Sequence, residues 1–254
     1  MKIRECLLIS ALVLVPGLAR TQEDKAQKLF QAAIEAMGGD AFVKVTDMVS
    51  EGNLFYFDRD GNSSGLIKYF DWTKLPDKSR NELGNNKKSR DVVVFNLEKK
   101  EGWILEGQKD TREATPEEME DFKNAVKHNL DSIFRFRYKD PSVKLFYLGP
   151  GDGPDVQFEV VRLLDPENDE TNVYFDRTNR LPAKIEYSTV DKKSGVKVRN
   201  RDEFSQWHVI QGVKTSLRLD SYRNGRKSAQ QFVLKIGFNN NLPDSFFGKP
   251  VPPK

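Results

Sequence analysis

The chain has 254 residues, with 41 Lys plus Arg against 38 Asp plus Glu and a formal net charge of +3. Charge this nearly balanced excludes a polyanion binder driven by bulk electrostatics, so no nucleic-acid partner is expected. Hydrophobic residues are 37% and charged residues 31% of the chain, which is polar, yet a chain of this length buries roughly three quarters of its unfolded surface and can carry one sizeable core.

Met1-Lys2-Ile3-Arg4 is a basic start, and Leu7 to Leu18 is an apolar run broken by Pro16 and Gly17 and followed by the small residue Ala19. This is the pattern of a secretory signal. The run is about a dozen residues, where a bilayer span needs about 20. Residues 1–19 are expected to be removed after Ala19. The mature chain then begins at Arg20, soluble in the periplasm or another extracytoplasmic space. Cys6 precedes the apolar run, so it is not the acylated first residue of a mature lipoprotein, and the mature chain is expected to be unlipidated. Losing Lys2, Arg4 and Glu5 takes the net charge from +3 to +2 and leaves no cysteine. Disulfide and thiolate chemistry are therefore not expected.

From Gln22, the residues Ala26, Leu29, Phe30, Ala33, Ile34 and Met37 recur at three and four, which predicts an amphipathic helix ended by Gly38-Gly39. The period then changes to two. Val45 to Phe57 and Gly65 to Trp72 read as strands joined by the Asp58-Arg59-Asp60-Gly61-Asn62 turn, and Val92 to Phe95 and Gly102 to Leu105 continue the meander. Leu75-Pro76-Asp77 and Gly84-Asn85-Asn86 read as turns. Thr115, Pro116 and Glu118 form a capping box at the start of a second helix, whose stripe Met119, Phe122, Val126, Leu130 and Ile133 carries it to Phe134 or Phe136. Strands follow at Val143–Leu148, Val156–Leu164, Thr171–Asp176, Ala183–Val190, Val196–Val209, Val213–Arg223 and Ser228–Phe238.

In the late strands Ile185, Tyr187 and Thr189 alternate with Lys184, Glu186 and Ser188. Phe232, Leu234, Ile236 and Phe238 alternate with Val233, Lys235 and Gly237. A long antiparallel meander with one apolar face must curl around something, and two amphipathic helices can cover that face. The expected fold is α+β. It is a single domain over residues 20–254, a strongly curved antiparallel sheet or incomplete barrel with helices packed in or over its concavity.

The sequence is poor in catalytic material, and no catalytic residue is assigned. His128 and His208 have no Cys, His or acidic neighbours at metal-ligand spacing, and there is no Gly-x-Ser-x-Gly elbow and no His-Glu-x-x-His. The run Gly149-Pro150-Gly151-Asp152-Gly153-Pro154-Asp155 lacks the ending of a phosphate cradle and reads as a turn. Asp58, Asp60 and Asn62 start like a calcium loop, but Gly61 comes too early and no glutamate closes it. Asp165, Glu167, Asp169 and Glu170 around Pro166 read as a solvated turn. No metal and no cofactor is expected.

The aromatic residues are the more informative feature: 17 Phe, 7 Tyr and 3 Trp, or 11% of the chain. Aromatics favour strands, so plain core packing accounts for them. The alternative is a curved sheet that keeps an apolar cavity for an acyl chain, with Phe55, Phe57, Tyr69, Trp103, Phe134, Phe136, Phe158, Tyr187, Phe232 and Phe238 as candidate lining residues.

Several strings resemble the LolA/LolB-type periplasmic lipoprotein carriers and the broader outer-membrane lipoprotein-sorting proteins. Ala33-Ile34-Glu35-Ala36-Met37-Gly38-Gly39 and Val49-Ser50-Glu51-Gly52 are similar to their opening helix, double glycine and first strand. The segment from Tyr174 to Tyr187, with Asp176, Thr178 and Leu181-Pro182, is similar to their recurring hairpin. Gln211-Gly212-Val213-Lys214, Ile236-Gly237-Phe238-Asn239 and Phe246-Phe247 are similar to the closing strands and tail. Thr215-Ser216 departs from the pattern, standing where many relatives have a proline after the Gly-Val turn. The resemblance implies an incomplete barrel with a helical lid over an apolar cavity, and no cofactor. It agrees with the reading from the residues. The expected function is a non-catalytic, monomeric carrier or binding protein of the cell envelope for acyl chains of a lipoprotein or lipid, with an envelope membrane protein as a further partner. The alternative is an interaction or sensor module of the same fold with a filled core.

Overall fold

The computed structural model describes residues 16–192 and 194–252, with side chains from Gln22 onward. Most of the expected export signal, residues 1–15, lies outside the described residues. Two helices open the chain, α1 (Pro16–Ala36) and α2 (Asp40–Val43). Six strands follow: β1 (Asp47–Tyr56), β2 (Ile67–Lys74), β3 (Lys78–Leu83), β4 (Asp91–Asn96), β5 (Glu101–Glu106) and β6 (Asp110–Glu113). Helices α3 (Pro116–His128) and α4 (Leu130–Arg135) lead to a second meander. It comprises β7 (Lys144–Pro150), β8 (Phe158–Leu164), β9 (Glu170–Asp176), β10 (Pro182–Val190), β11 (Lys197–Ile210), β12 (Val213–Arg223) and β13 (Arg226–Phe238).

All thirteen strands form one antiparallel sheet in the order β6 to β1, then β13 down to β7. The first strand therefore pairs with the last, and the two meanders join at the middle of the sheet. The sheet curves without closing. Its free edges, β6 and β7, are neighbours in sequence, so α3 and α4 connect them and lie over the concave face.

Helix α1 is amphipathic in the way its spacing predicts: Ala26, Phe30, Ala33 and Ile34 are buried, as is Met37 just beyond its end. Phe30 lies 5.0 Å from Phe134, 5.1 Å from Tyr138 and 5.1 Å from Phe175, ring centre to ring centre. Burying aromatic side chains stabilises by roughly 2–3 kcal/mol each. With Ile133, Val161, Leu163, Val173 and Ile185 they fill the concavity over β8–β10. Gly38 then turns the chain at φ +121°, and a Cβ there would lie 2.3 Å from the Gly212 carbonyl oxygen. Only glycine lets the end of α1 seat on the β11–β12 turn, where the Lys214 N–H donates to the Met37 carbonyl at 2.8 Å.

The predicted second helix is two helices. The capping box is present: Thr115 Oγ1 accepts from the Glu118 N–H, and the Glu118 carboxylate from the Thr115 N–H. At Asn129, however, the backbone is extended (φ −74°, ψ 157°), and its side chain accepts from the Ser132 N–H at 2.7 Å. Asn129 thus ends α3 and caps α4, which redirects the chain across the sheet.

Strands β3 and β6 carry no apolar alternation, Lys78-Ser79-Arg80-Asn81-Glu82-Leu83 being mostly polar, and only the structure reveals them. β3 forms because it is paired on both sides, by β2 and β4. A bulge corrects the alternation read for β13. Glu51 pairs with Lys235 but Gly52 with Val233, so Leu234 has no opposite number and stands 65% exposed. Ile236 and Phe238 keep the concave face, Val233 and Gln231 join them, and Phe232 is turned outward.

A second core lies on the outer face. Val92, Val94 and Leu105 are buried there under Phe247, with Trp72, Trp103, Leu242 and Phe246 around them. The carboxylate of Asp47 anchors this C-terminal strap, accepting from the Asn240 and Leu242 N–H groups at 2.6 and 3.2 Å.

Candidate functional site

Away from α1, the concave face keeps two apolar hollows. The first, about 200 Å³, lies between α4 and the middle of the sheet. Leu130 of α4 and Phe42 of α2 form its roof. Met48, Phe204, Trp207, Leu219, Val233, Ile236 and Phe238 form its walls. The second, about 330 Å³, lies beside α3, whose Phe122 stacks on Phe95 with ring centres 4.4 Å apart. Leu54, Tyr56, Tyr69, Leu83 and Val93 complete it. Gln231 lines both hollows, so they adjoin.

A polar band separates them. Asp71 lines the first hollow and accepts from Asn81 Nδ2 at 3.1 Å and Thr73 Oγ1 at 3.2 Å, while Asn81 itself lines the second. Gly52 makes room for the neighbouring Tyr69, since a Cβ there would lie 2.8 Å from its ring and 1.9 Å from the Phe232 carbonyl oxygen. Burial pushes the Asp71 carboxyl up to about 6; hydrogen bonds from Thr73, Asn81 and Ser79 work against this, and the charge of Asp131 adds to it. Above the band, Arg135 donates to Asp131 at 2.9 Å and stacks 3.7 Å from the centre of the Phe42 ring. Its Nη1 is buried without a hydrogen-bond partner among the described residues.

Of the aromatic residues singled out in the sequence, the structure brings four to the concave side. Phe238 lines the first hollow and Tyr69 the second. Phe134 is fully buried between Phe30 and Phe175 and belongs to the filled core. Tyr187 lies against α3, stacked on His128 with ring centres 4.1 Å apart. Phe136, the residue ending α4, is 39% exposed and lines neither hollow. The others lie elsewhere for reasons of strand parity. Phe55 alternates with the inward Leu54 and Tyr56 and meets the outward Phe232 at 6.2 Å. Phe57 follows the end of β1, where Lys227 lies 6.0 Å from its ring. Trp103 is in the outer core, with Lys249 over its ring at 4.9 Å. Phe158 alternates with the core residues Val161 and Leu163 and packs on Tyr174. Of the residues that sequence reading missed, Trp207 and Val233 sit beside a backbone irregularity, since Gln206 has φ +55° and Leu234 is the bulge, so simple alternation does not find them; Leu219 keeps the regular alternation of β12, opposite Phe204.

The polar clusters have structural partners. His128 is buried, with Nδ1 2.8 Å from the Asn124 carbonyl and Nε2 2.9 Å from the Asp169 carboxylate, an arrangement that leaves neither nitrogen for a substrate. His208 is exposed on β11. The acidic turn at Asp165–Glu170 is occupied by an ammonium group: Lys127 Nζ lies 2.5 Å from Asp165, 2.8 Å from Asp169 and 3.2 Å from Glu167. Burial acts to raise Asp169, but hydrogen bonds from His128 and Lys127 hold it down at about 2. Asp58 accepts from the N–H groups of Asp60 and Asn62, as a hairpin turn does. A concavity of about 990 Å³ along β9–β12 is lined by Asn172, Glu186, Arg199, Asn200, Arg201 and other mostly polar residues. Among the side chains lining it only Tyr187 and Tyr222 are aromatic, and no aliphatic side chain joins them.

An open antiparallel sheet wound around helices, with apolar space left beneath them, defines the class: this is the incomplete-barrel fold of LolA-type proteins. Solved structures with it include a DUF1329 family protein from Desulfovibrio piger (13% identity, 88% of this chain and 97% of that one covered, TM-score 0.60). A LolA superfamily protein from Nitrosomonas europaea matches at 13% identity, with 88% and 97% covered and a TM-score of 0.58. A domain named for outer-membrane lipoprotein sorting, from Vibrio parahaemolyticus, matches at 13% identity, with 89% and 97% covered and a TM-score of 0.54. At such identity the likeness is one of fold. No family model matches the chain, and no curated protein does. No helix among the described residues is long and apolar enough to cross a membrane.

Proposed function

We propose that the protein is a non-catalytic carrier or binding protein of the cell envelope that holds acyl chains of a lipoprotein or lipid in the adjoining hollows of its concave face. The observation that carries this reading is the unequal filling of the concavity: packed solid over β8–β10, it retains apolar space of about 200 and 330 Å³ beneath α4 and α3. Together these reach the size of ordinary ligand pockets, roughly 300–1,000 Å³. Each buried methylene contributes about 0.8 kcal/mol, so one chain of moderate length suffices for useful affinity. Exchange proceeds by movement of α4 and α3. These segments join the two free edges of the sheet and are tied to it by side chains rather than by a ladder. A monomer exported by its N-terminal signal would load and unload at a membrane or an envelope membrane protein.

Lipid extraction from the mature protein purified out of its native envelope, followed by mass spectrometry, tests the reading. Acyl species in roughly equimolar amount are expected. A preparation free of acyl species that also fails to bind a fluorescent fatty acid overturns it, and leaves an interaction module with a filled core.

A further inference from the structure

Charge is spread unevenly along this nearly neutral chain. Segments 190–202 and 221–228 together hold eight Lys or Arg against two Asp, a net of +6 where the whole chain carries +3. The antiparallel register brings both segments to one end of the sheet, as the β10–β11 and β12–β13 turns with the strand ends beside them. They are joined there: the Asn224 N–H donates to the Arg199 carbonyl at 2.8 Å, and the Arg199 N–H to Asn224 Oδ1 at 2.9 Å. The acids around this end are engaged. Asp191 and Asp202, the two within the segments, accept from Ser194 and Ser221. Glu203 pairs with Arg201 at 3.0 Å, Asp220 with Lys227 at 2.9 Å, and Asp121 of α3 with Lys192 at 3.5 Å. In the neighbouring β8–β9 turn, Lys127 holds three carboxylates and Arg162 meets Glu170 at 3.0 Å. In the β1–β2 turn Asp58 and Asp60 stand beside Arg59, and Asp58 accepts from its own loop. Lys197, Arg199, Arg223 and Arg226 remain, exposed and with no ion pair among the described residues.

Apolar side chains stand among these cations. Val190 and Val196, on either side of the Lys192 turn, are 62% and 57% exposed. We propose that this end of the sheet docks on the surface of a bilayer containing anionic lipids, with the four free cations against the lipid phosphates and the two valines among the headgroups. A bilayer interface receives apolar side chains and basic groups together, whereas an acidic soluble partner would account for the cations alone. The same end carries the mouth of the second hollow. Tyr56, an exposed wall residue of that hollow, pairs with Ala229, three residues along β13 from Arg226, and Leu66 is exposed just before β2. Lys192 in turn reaches α3, the helix beside the hollow. The proposal rests on the carrier reading, for which it supplies the place of exchange, and its test contains no acyl ligand.

The test sediments the mature protein with vesicles of phosphatidylcholine, alone or with about one third phosphatidylglycerol, at roughly 0.15 M salt. The wild type should bind the anionic vesicles at least about tenfold more tightly than the neutral ones. Arg199→Glu combined with Arg226→Glu should remove most of that preference. Lys99→Glu combined with Lys100→Glu makes the same change of net charge in the β4–β5 turn, at the other end of the strands, and should bind as the wild type does. Val190→Ser combined with Val196→Ser keeps every charge and should weaken binding about fivefold. No binding to anionic vesicles, equal binding to both kinds, or equal losses in the two charge variants overturns the proposal. Binding unchanged in the valine variant overturns the bilayer as the partner. Vesicle binding by a protein that takes up no acyl chain would leave the docking and remove the carrier reading, whereas acyl uptake without vesicle binding removes the docking alone.

Discussion

Truncating Phe134 to alanine should lower the free energy of unfolding by about 3–5 kcal/mol, the range for deleting a buried aromatic ring. The ring is fully buried, 5.0 Å from Phe30 and 5.8 Å from Phe175, so its removal leaves a void bounded by α1 and β9 that neither can collapse into. Phe136, two residues on and 39% exposed, should cost less than about 1 kcal/mol when truncated. Urea denaturation of the two variants measures the contrast. Equal losses would mean that α4 does not seat on the sheet through Phe134.

The second large effect is a pH profile. Asp71 is raised by burial from an ordinary carboxylate value to about 6. Between about pH 4 and pH 6 the unfolded chain has released this proton while the folded chain retains it, so stability falls as pH rises through that window. At one pKa unit per 1.36 kcal/mol the loss is about 3 kcal/mol, complete above about pH 7. Asp169 has the opposite sign. Held at about 2 by His128 and Lys127 against the effect of burial, it contributes stability that is present above about pH 4 and is lost as pH falls through about 2. Chemical denaturation across this range should show the fall above about pH 4 in the wild type and a much smaller one in Asp71→Asn, where Asp202, also raised by burial, still contributes. A variant that keeps the fall undiminished would remove Asp71 as its source.

Much of the fold was legible because its signals are local. The α1 stripe, the Thr115-Pro116-Glu118 cap, and the turns bounding β8 to β13 are written in residues a few positions apart, and each appears where its chemistry places it. What was not legible depends on partners distant in sequence. β3 is a strand only because β2 and β4 hold it, and Asn129 breaks a stripe that is otherwise continuous. The candidate site was legible in kind and hardly in detail. Aromatic side chains on strands do reach both faces, but which face depends on parity. A single bulge at Leu234 and the left-handed Gln206 exchange Phe232 for Val233 and bring Trp207 into the groove. The outer core under Phe246 and Phe247, which takes Trp103 out of the concavity, forms only when the C-terminal strap folds back on β4 and β5.

The central claim is that the hollow beneath α4 receives an acyl chain. It is tested most directly by titrating a fluorescent acyl ester into the wild type and into Val233→Trp, whose indole fills the groove of about 200 Å³ from its sheet wall. Saturable binding by the wild type is expected, with a loss of about tenfold or more in the variant at nearly unchanged thermal stability. Binding of equal strength in the two proteins, or none in the wild type, would contradict it.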